Sequence, residues 1–285
     1  MMVSWVTLGA MVVSLLATMS CRIYQVIKPG EDMSLFFCSE FFCFMIGLAA
    51  FLLIVLVTKF FSKSSCNSCC GGEVGFKVNK NPFLALVAMA FGIVVCIDGI
   101  MMLISYVNGY RFGSPLSEGI FATIGGPVFA LTGVSHLLGK NLFKDNELLT
   151  ILPVAWGAAR TINIFLSYNI TSNVAWNLSD VLAIIFSSLF LLNHAKCIAN
   201  REDPKKLNNL RLYGCSAVMF LVMYTTKGIL AGTAFSDLDT NNVAFSFISN
   251  AYFVDIVMAL YTLTVVINTE LCCNNKECST AETYA

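Results

Sequence analysis

Eight stretches of this chain are each about 20 or more residues long and mostly apolar, with approximate limits 3–27, 34–58, 82–107, 115–138, 148–168, 174–194, 212–232 and 243–267. A helix of about 20 residues, rising about 1.5 Å per residue, covers the hydrocarbon core of a bilayer. Inside that core no water is present to satisfy a bare backbone, so only helices and closed barrels cross it. Barrel strands are about half as long as these runs and alternate in polarity. The sequence therefore predicts an all-α, polytopic transmembrane bundle of eight helices. Composition agrees: 57% of residues are hydrophobic against 12% charged, with mean hydropathy +0.77, well outside the range of soluble domains.

The chain between the runs is short. Its longest connections, 59–81 and 195–211, are too small for a soluble domain, which argues against chemistry housed in an appendage. Residues 1–285 are thus expected to form one membrane domain. The opening MMVSWVTLGAMVVSLLATMSC has a long apolar stretch without the basic flank of a secretion signal and reads as a retained first helix. If the N-terminus is cytoplasmic, twelve basic residues fall in inner loops and the tail, and only Lys28 and Arg111 fall outside. That bias predicts both termini inside and four hairpins turning at the outer face, with 268–285 as a cytoplasmic tail. Arg22 and Lys28, which follow the first helix while the N-terminal tail has no basic residue, run against the trend.

Charges inside the runs are the next constraint. Each expected hairpin carries ionisable residues in its outer half: Arg22 with Glu40, Asp98 with Glu118, Arg160 with Asp180, and Lys227 with Asp255. The spacing is similar enough to suggest a divergent repeat and one shared polar region. Arg160, in VAWGAARTINIFL, lies about eight residues, or roughly 12 Å, from the outer end of its helix. Asp98 is about as deep, and Asp255 is nearer the middle. A charge at the bilayer centre costs about 2.5–3.5 kcal/mol unless it is paired or wetted, so these three should face the bundle interior. Asp180 is the expected partner of Arg160, through the short turn, with Asp98 and Asp255 next.

Other charges have plainer readings. Lys227 is close enough to a helix end to snorkel. Glu118 follows SPLS, where Ser114 can cap a helix that begins at Pro115, which leaves Glu118 in a turn favoured by the helix dipole. The candidate ligand or ion site is therefore Arg160, Asp180, Asp98, Asp255, Glu40 and Lys227. Counted with Arg22 and Glu118, acids exceed bases by two, which favours a cation or the protonation of an acid. Against this stands the purely architectural reading, a buried ion pair that fixes helix register.

Gly125, Gly126 and Pro127 in TIGGPVFALTG, and Pro153 in LPVAWG, would weaken the fourth and fifth helices. Interrupted helices at membrane depth mark transporter binding sites, whereas small residues also serve close packing. Six of the twelve cysteines lie in CNSCC and CCNNKEC on the expected inner side, where thiols stay reduced. Cys66, Cys69, Cys272 and Cys278 have spacing that would allow a zinc site if the two clusters met; lipid attachment and plain thiols are the other readings. Nothing else in the sequence calls for a cofactor.

The two histidines, His136 and His194, form no HExxH, and no GxSxG or P-loop pattern occurs, so the corresponding hydrolase classes are not indicated. REDPKKLNNLRL carries acids among its bases and reads as a contact with anionic lipid, not nucleic acid. Asn169 and Asn177 head glycosylation sequons in a very short turn. Lys227, near the end of the seventh of eight runs, departs from the pattern of retinal proteins.

LPVAWGAARTINIF followed by WNLSDVLAIIFSSLFLL, within residues 152–192, resembles uncharacterised multi-pass membrane proteins of bacteria. The resemblance implies a bacterial inner-membrane location and carries no activity. Two functions are expected from the sequence. One is a proton- or cation-coupled small-molecule transporter working through the intramembrane polar site. The other is a non-transporting sensor or assembly partner, with that cluster as architecture and a cysteine-bearing, basic cytoplasmic face for its partner.

Overall fold

The computed structural model describes residues 9–20, 45–57, 80–108, 116–143, 146–170, 178–199, 206–230 and 251–282, and among these it is helical with no strand. We number the helices in chain order. The described parts of the first two are α1 (Gly9–Ser20) and α2 (Met45–Val57). Then come α3 (Pro82–Val107), α4 (Leu116–Leu138), α5 (Ile151–Ile170), α6 (Leu178–Ile198), α7 (Lys206–Leu230) and α8 (Ala251–Glu282). A four-residue 3-10 turn, Glu147–Thr150, leads into α5.

By length and composition, four described helices can cross a membrane: Pro82–Val107, Leu116–Leu138, Glu147–Leu166 and Asp180–Ile198. The limits expected for the third run coincide with α3. The seventh differs, because α7 begins within the expected inner loop, at Lys206. α8, which begins within the eighth run among the described residues, continues through NTELCCNNKECSTAE, which has neither glycine nor proline to stop it.

α3 shows why such a sequence makes a bundle. Leu86, Ile93, Ile100 and Val107 recur every seven residues and are exposed, while Ala85, Gly92 and Gly99 recur at the same interval and are buried. The large apolar side chains thus face outward and the smallest face in, the arrangement that suits a lipid surround in which tight backbone packing drives association. α4 answers with Gly119, Gly126 and Gly133, also seven apart. A Cβ on Gly92 would lie 2.5 Å from Gly126 O and Ala130 N; one on Gly126 would lie 2.7 Å from Gly92 O and Cys96 N; one on Gly133 would lie 2.6 Å from Ala85 O. The two backbones touch along an antiparallel seam, closed at one end by Asn81. Asn81 N–H donates to His136 O, and its side-chain oxygen caps α3 at Phe83 N and Leu84 N.

The fourth helix is not interrupted. α4 runs continuously through Pro127, which sets aside the interrupted-helix reading and agrees with the alternative of close packing. Proline at 127 leaves the carbonyl of Thr123 without its helical donor, and the Cys96 thiol reaches that oxygen at 3.8 Å. Gly125 faces Leu152 and Pro153 of α5, and Gly126 faces α3. The glycines here serve packing. Pro153 sits in the first turn of α5, where a missing N–H costs nothing and the helix proceeds.

α6 packs on α5 and α7, and α8 lies against α7 and α3. Phe91, Phe129, Trp156 and Tyr261 meet at the centre; Phe91 stacks on Tyr261 at 5.0 Å and sets its edge to Phe129 at 4.6 Å. A second aromatic group, Phe51, Phe186 and Phe220, ties α2 to α6 and α7. Near the Asn81 end of the bundle, Asn81 donates to Asn268 Oδ1 (2.8 Å) and Asn141 donates to Ile198 O (2.8 Å), joining α3 to α8 and the α4–α5 connection to α6.

Candidate functional site

Arg160 lies on α5 with Trp156 four residues before it and Asn163 three residues after, a spacing that puts all three on one helix face. Helical side chains lean toward the N-terminus of their own helix. The guanidinium accordingly reaches back over the Trp156 ring, 5.6 Å from its centroid. There it meets α8 and α4. Nη2 donates to Asp255 Oδ2 at 2.9 Å, and Nε stands 3.6 Å from Glu118 Oε1. Asn163 Nδ2 holds the other oxygen of Glu118 at 2.8 Å. Arg160, Trp156, Glu118 and Asp255 are buried, Asp255 at 0% exposure, and Asn163 is half-buried.

Asp98 of α3 completes the group. It is 4% exposed and close enough to Arg160, Glu118 and Asp255 to interact electrostatically with all three. Among the described residues no hydrogen bond or ion pair engages its carboxylate. The second oxygen of Asp255, Oδ1, and the indole N–H of Trp156 are also buried without hydrogen-bond partners. The site therefore holds three carboxylates and one guanidinium, with net charge of minus two when all are ionised. One carboxylate oxygen, Asp255 Oδ1, is thus fully buried with nothing to bind among the described residues.

Of the residues singled out in the sequence, Arg160, Asp98 and Asp255 come together here. Asp180 is buried and interacts electrostatically with Asp255, but among the described residues no ion pair joins it to Arg160. The reason is directional. Arg160 leans toward the start of α5, whereas Asp180, in the first turn of α6, lies toward the other end of α5. Glu118, read from sequence as a helix-dipole residue, is in the first turn of α4 and is also an ion-pair partner of Arg160. Asn163 and Trp156 were missed; their spacing from Arg160 was the available signal.

Glu40, Arg22, Cys66 and Cys69 lie outside the described residues, as do the side chains of Lys227, Cys272 and Cys278, whose backbones belong to α7 and α8. Among the described residues no group of three or more His, Cys, Asp or Glu side chains is placed to hold a metal ion.

Between the cluster and the Asn81 end lie the central aromatic rings. Beyond them, Tyr261 Oη stands 3.4 Å from both ring nitrogens of His194, which stacks on Phe190. No family model matches the chain, and neither does any curated protein or solved structure. Function has to be argued from the site.

Proposed function

We propose that the chain is an eight-span membrane protein with both termini cytoplasmic, placed by its sequence resemblance in the bacterial inner membrane, and that it is a proton- or cation-coupled small-molecule transporter. The observation that supports this reading is that two buried carboxylates, on α4 and α8, pair with the guanidinium of α5 while a third, on α3, lies within electrostatic reach of it. Uncompensated charge in a medium of low dielectric is expensive. A cation or proton entering the site relieves that cost, and because the acids stand on different helices, relief alters how those helices attract one another. A ligand that favours one arrangement over another is what coupling requires.

A second reading rests on the 2.9 Å Arg160–Asp255 pair, which joins α5 to α8 across 95 residues of sequence. In a sensor or assembly partner that pair is a clamp fixing helix register. A thermal-shift screen of the purified protein in detergent, across cations, metabolites and pH, separates the two, with Arg160→Met and the milder Arg160→Lys run beside the wild type. Ligands that raise the melting temperature of the wild type and not of either variant support transport through the cluster. No stabilising ligand, with a lower melting temperature for Arg160→Met, leaves the clamp.

A further inference from the structure

Asp98 differs from the two acids beside it. Asp255 is neutralised by Arg160 at 2.9 Å, and Glu118 has Arg160 at 3.6 Å on one oxygen and Asn163 at 2.8 Å on the other. Asp98 is 4% exposed, and neither an ion pair nor a hydrogen bond engages it among the described residues. The charged groups within electrostatic reach of it are Glu118 on α4, Arg160 on α5 and Asp255 on α8. Two are acids, and the one base is already engaged by both of them. A carboxylate buried this way, without a donor, avoids the cost of its charge by binding a proton.

We infer that Asp98 is the proton-binding group of the site, holding its carboxyl neutral while Asp255 and Glu118 remain ionised around Arg160. The proton comes from water and returns to water; binding it lowers the charge of the cluster from minus two to minus one, and no other bond is made or broken. A metal ion is the weaker occupant, since the described side chains assemble no metal-ligating group. The inference deepens the transporter reading by naming the coupling species as a proton and its carrier as Asp98. The position fits that role: Gly99, the next residue, lies against Thr123 and Ala122 of α4, so Asp98 borders the glycine seam.

The test uses the full chain in lipid nanodiscs and infrared difference spectra between about pH 5 and about pH 9. A protonated carboxyl has a carbonyl stretch that D2O shifts and that an ionised one lacks. The wild type should show this band near neutral pH; Asp98→Asn should abolish it, and Glu118→Gln and Asp255→Asn should retain it. Because the amide imitates a neutral carboxyl, Asp98→Asn should melt within a few degrees of the wild type, while Asp255→Asn, which uncovers Arg160, should melt clearly lower. A band that survives Asp98→Asn, no such band in the wild type, or an Asp98→Asn melting temperature as low as that of Asp255→Asn overturns the assignment.

Proteoliposomes containing a pH-sensitive dye keep this result apart from the transport reading. A band lost in Asp98→Asn, with no solute-driven proton movement in the wild type, leaves the proton on Asp98 and removes transport. Proton-coupled uptake that persists in Asp98→Asn overturns the role of Asp98 and leaves transport standing.

Discussion

Two neighbouring faces of α4 are held by opposite means. Toward α3 it presents Gly119, Gly126 and Gly133, and at these glycines the contact is steric, with backbone and apolar side-chain atoms against the glycine. Toward α5 it presents Glu118 and Gly125, one residue earlier in the same seven-residue repeat, and the contact at Glu118 is electrostatic. A step of one residue, or about 100° around the helix, separates a steric joint from a charged one. A steric joint tolerates no added atom, and its strength owes nothing to protonation. A charged joint tolerates changes of size, and its strength depends on every charge within reach.

That contrast is most severely tested by removing the guanidinium. Arg160→Met leaves Asp255 and Glu118 buried without their counter-charge and should destabilise the protein by about 3–5 kcal/mol. The double variant Arg160→Met with Asp255→Leu should recover part of that loss, as read by thermal melting in detergent. If the double variant is no better than the single, the joint is not held by charge. Adding atoms to the seam comes next. Gly126→Val drives a side chain into Gly92 O and Cys96 N and should cost about 1–3 kcal/mol, with no dependence on pH between about 5 and 9. A clear pH dependence in that variant would mean that the two joints are coupled through α4. The smallest effect is expected at Asn81, at the end of the seam, whose backbone bond to His136 O survives a change of side chain. Asn81→Ala removes a helix cap and the bond to Asn268 and should cost about 1 kcal/mol, setting the baseline against which the larger losses are read.

Much of this contrast could be foreseen from sequence, though unevenly. The apolar run at 82–107 gave the limits of α3, because helix length in a bilayer is imposed by thickness. The cost of burying charge brought Arg160, Asp98 and Asp255 to notice as interior residues. Their pairing was not legible, since a short turn favours Asp180 on proximity, and the direction in which Arg160 leans matters only once α4 and α8 are in place. The seam was half legible. Gly125, Gly126 and Pro127 allowed either a weakened helix or close packing, and the surfaces they pack against emerged only with the glycines of α3 and the start of α5 in place. Nothing local to Pro127 predicts that a cysteine thiol on another helix will bond the carbonyl it frees.

The distance along the chain between Arg160 and Asp255 also has a consequence in time. The partners are 95 residues apart, and a ribosome adding about 5–20 residues per second delivers Asp255 about 5–20 s after Arg160. Through that interval the guanidinium enters the bilayer with only the acids of earlier helices to meet it, Glu118 foremost. The α3–α4 seam, made within one short stretch, has no such wait. The order of synthesis thus completes the steric joint first, and the Arg160–Asp255 pair closes only when α8 arrives.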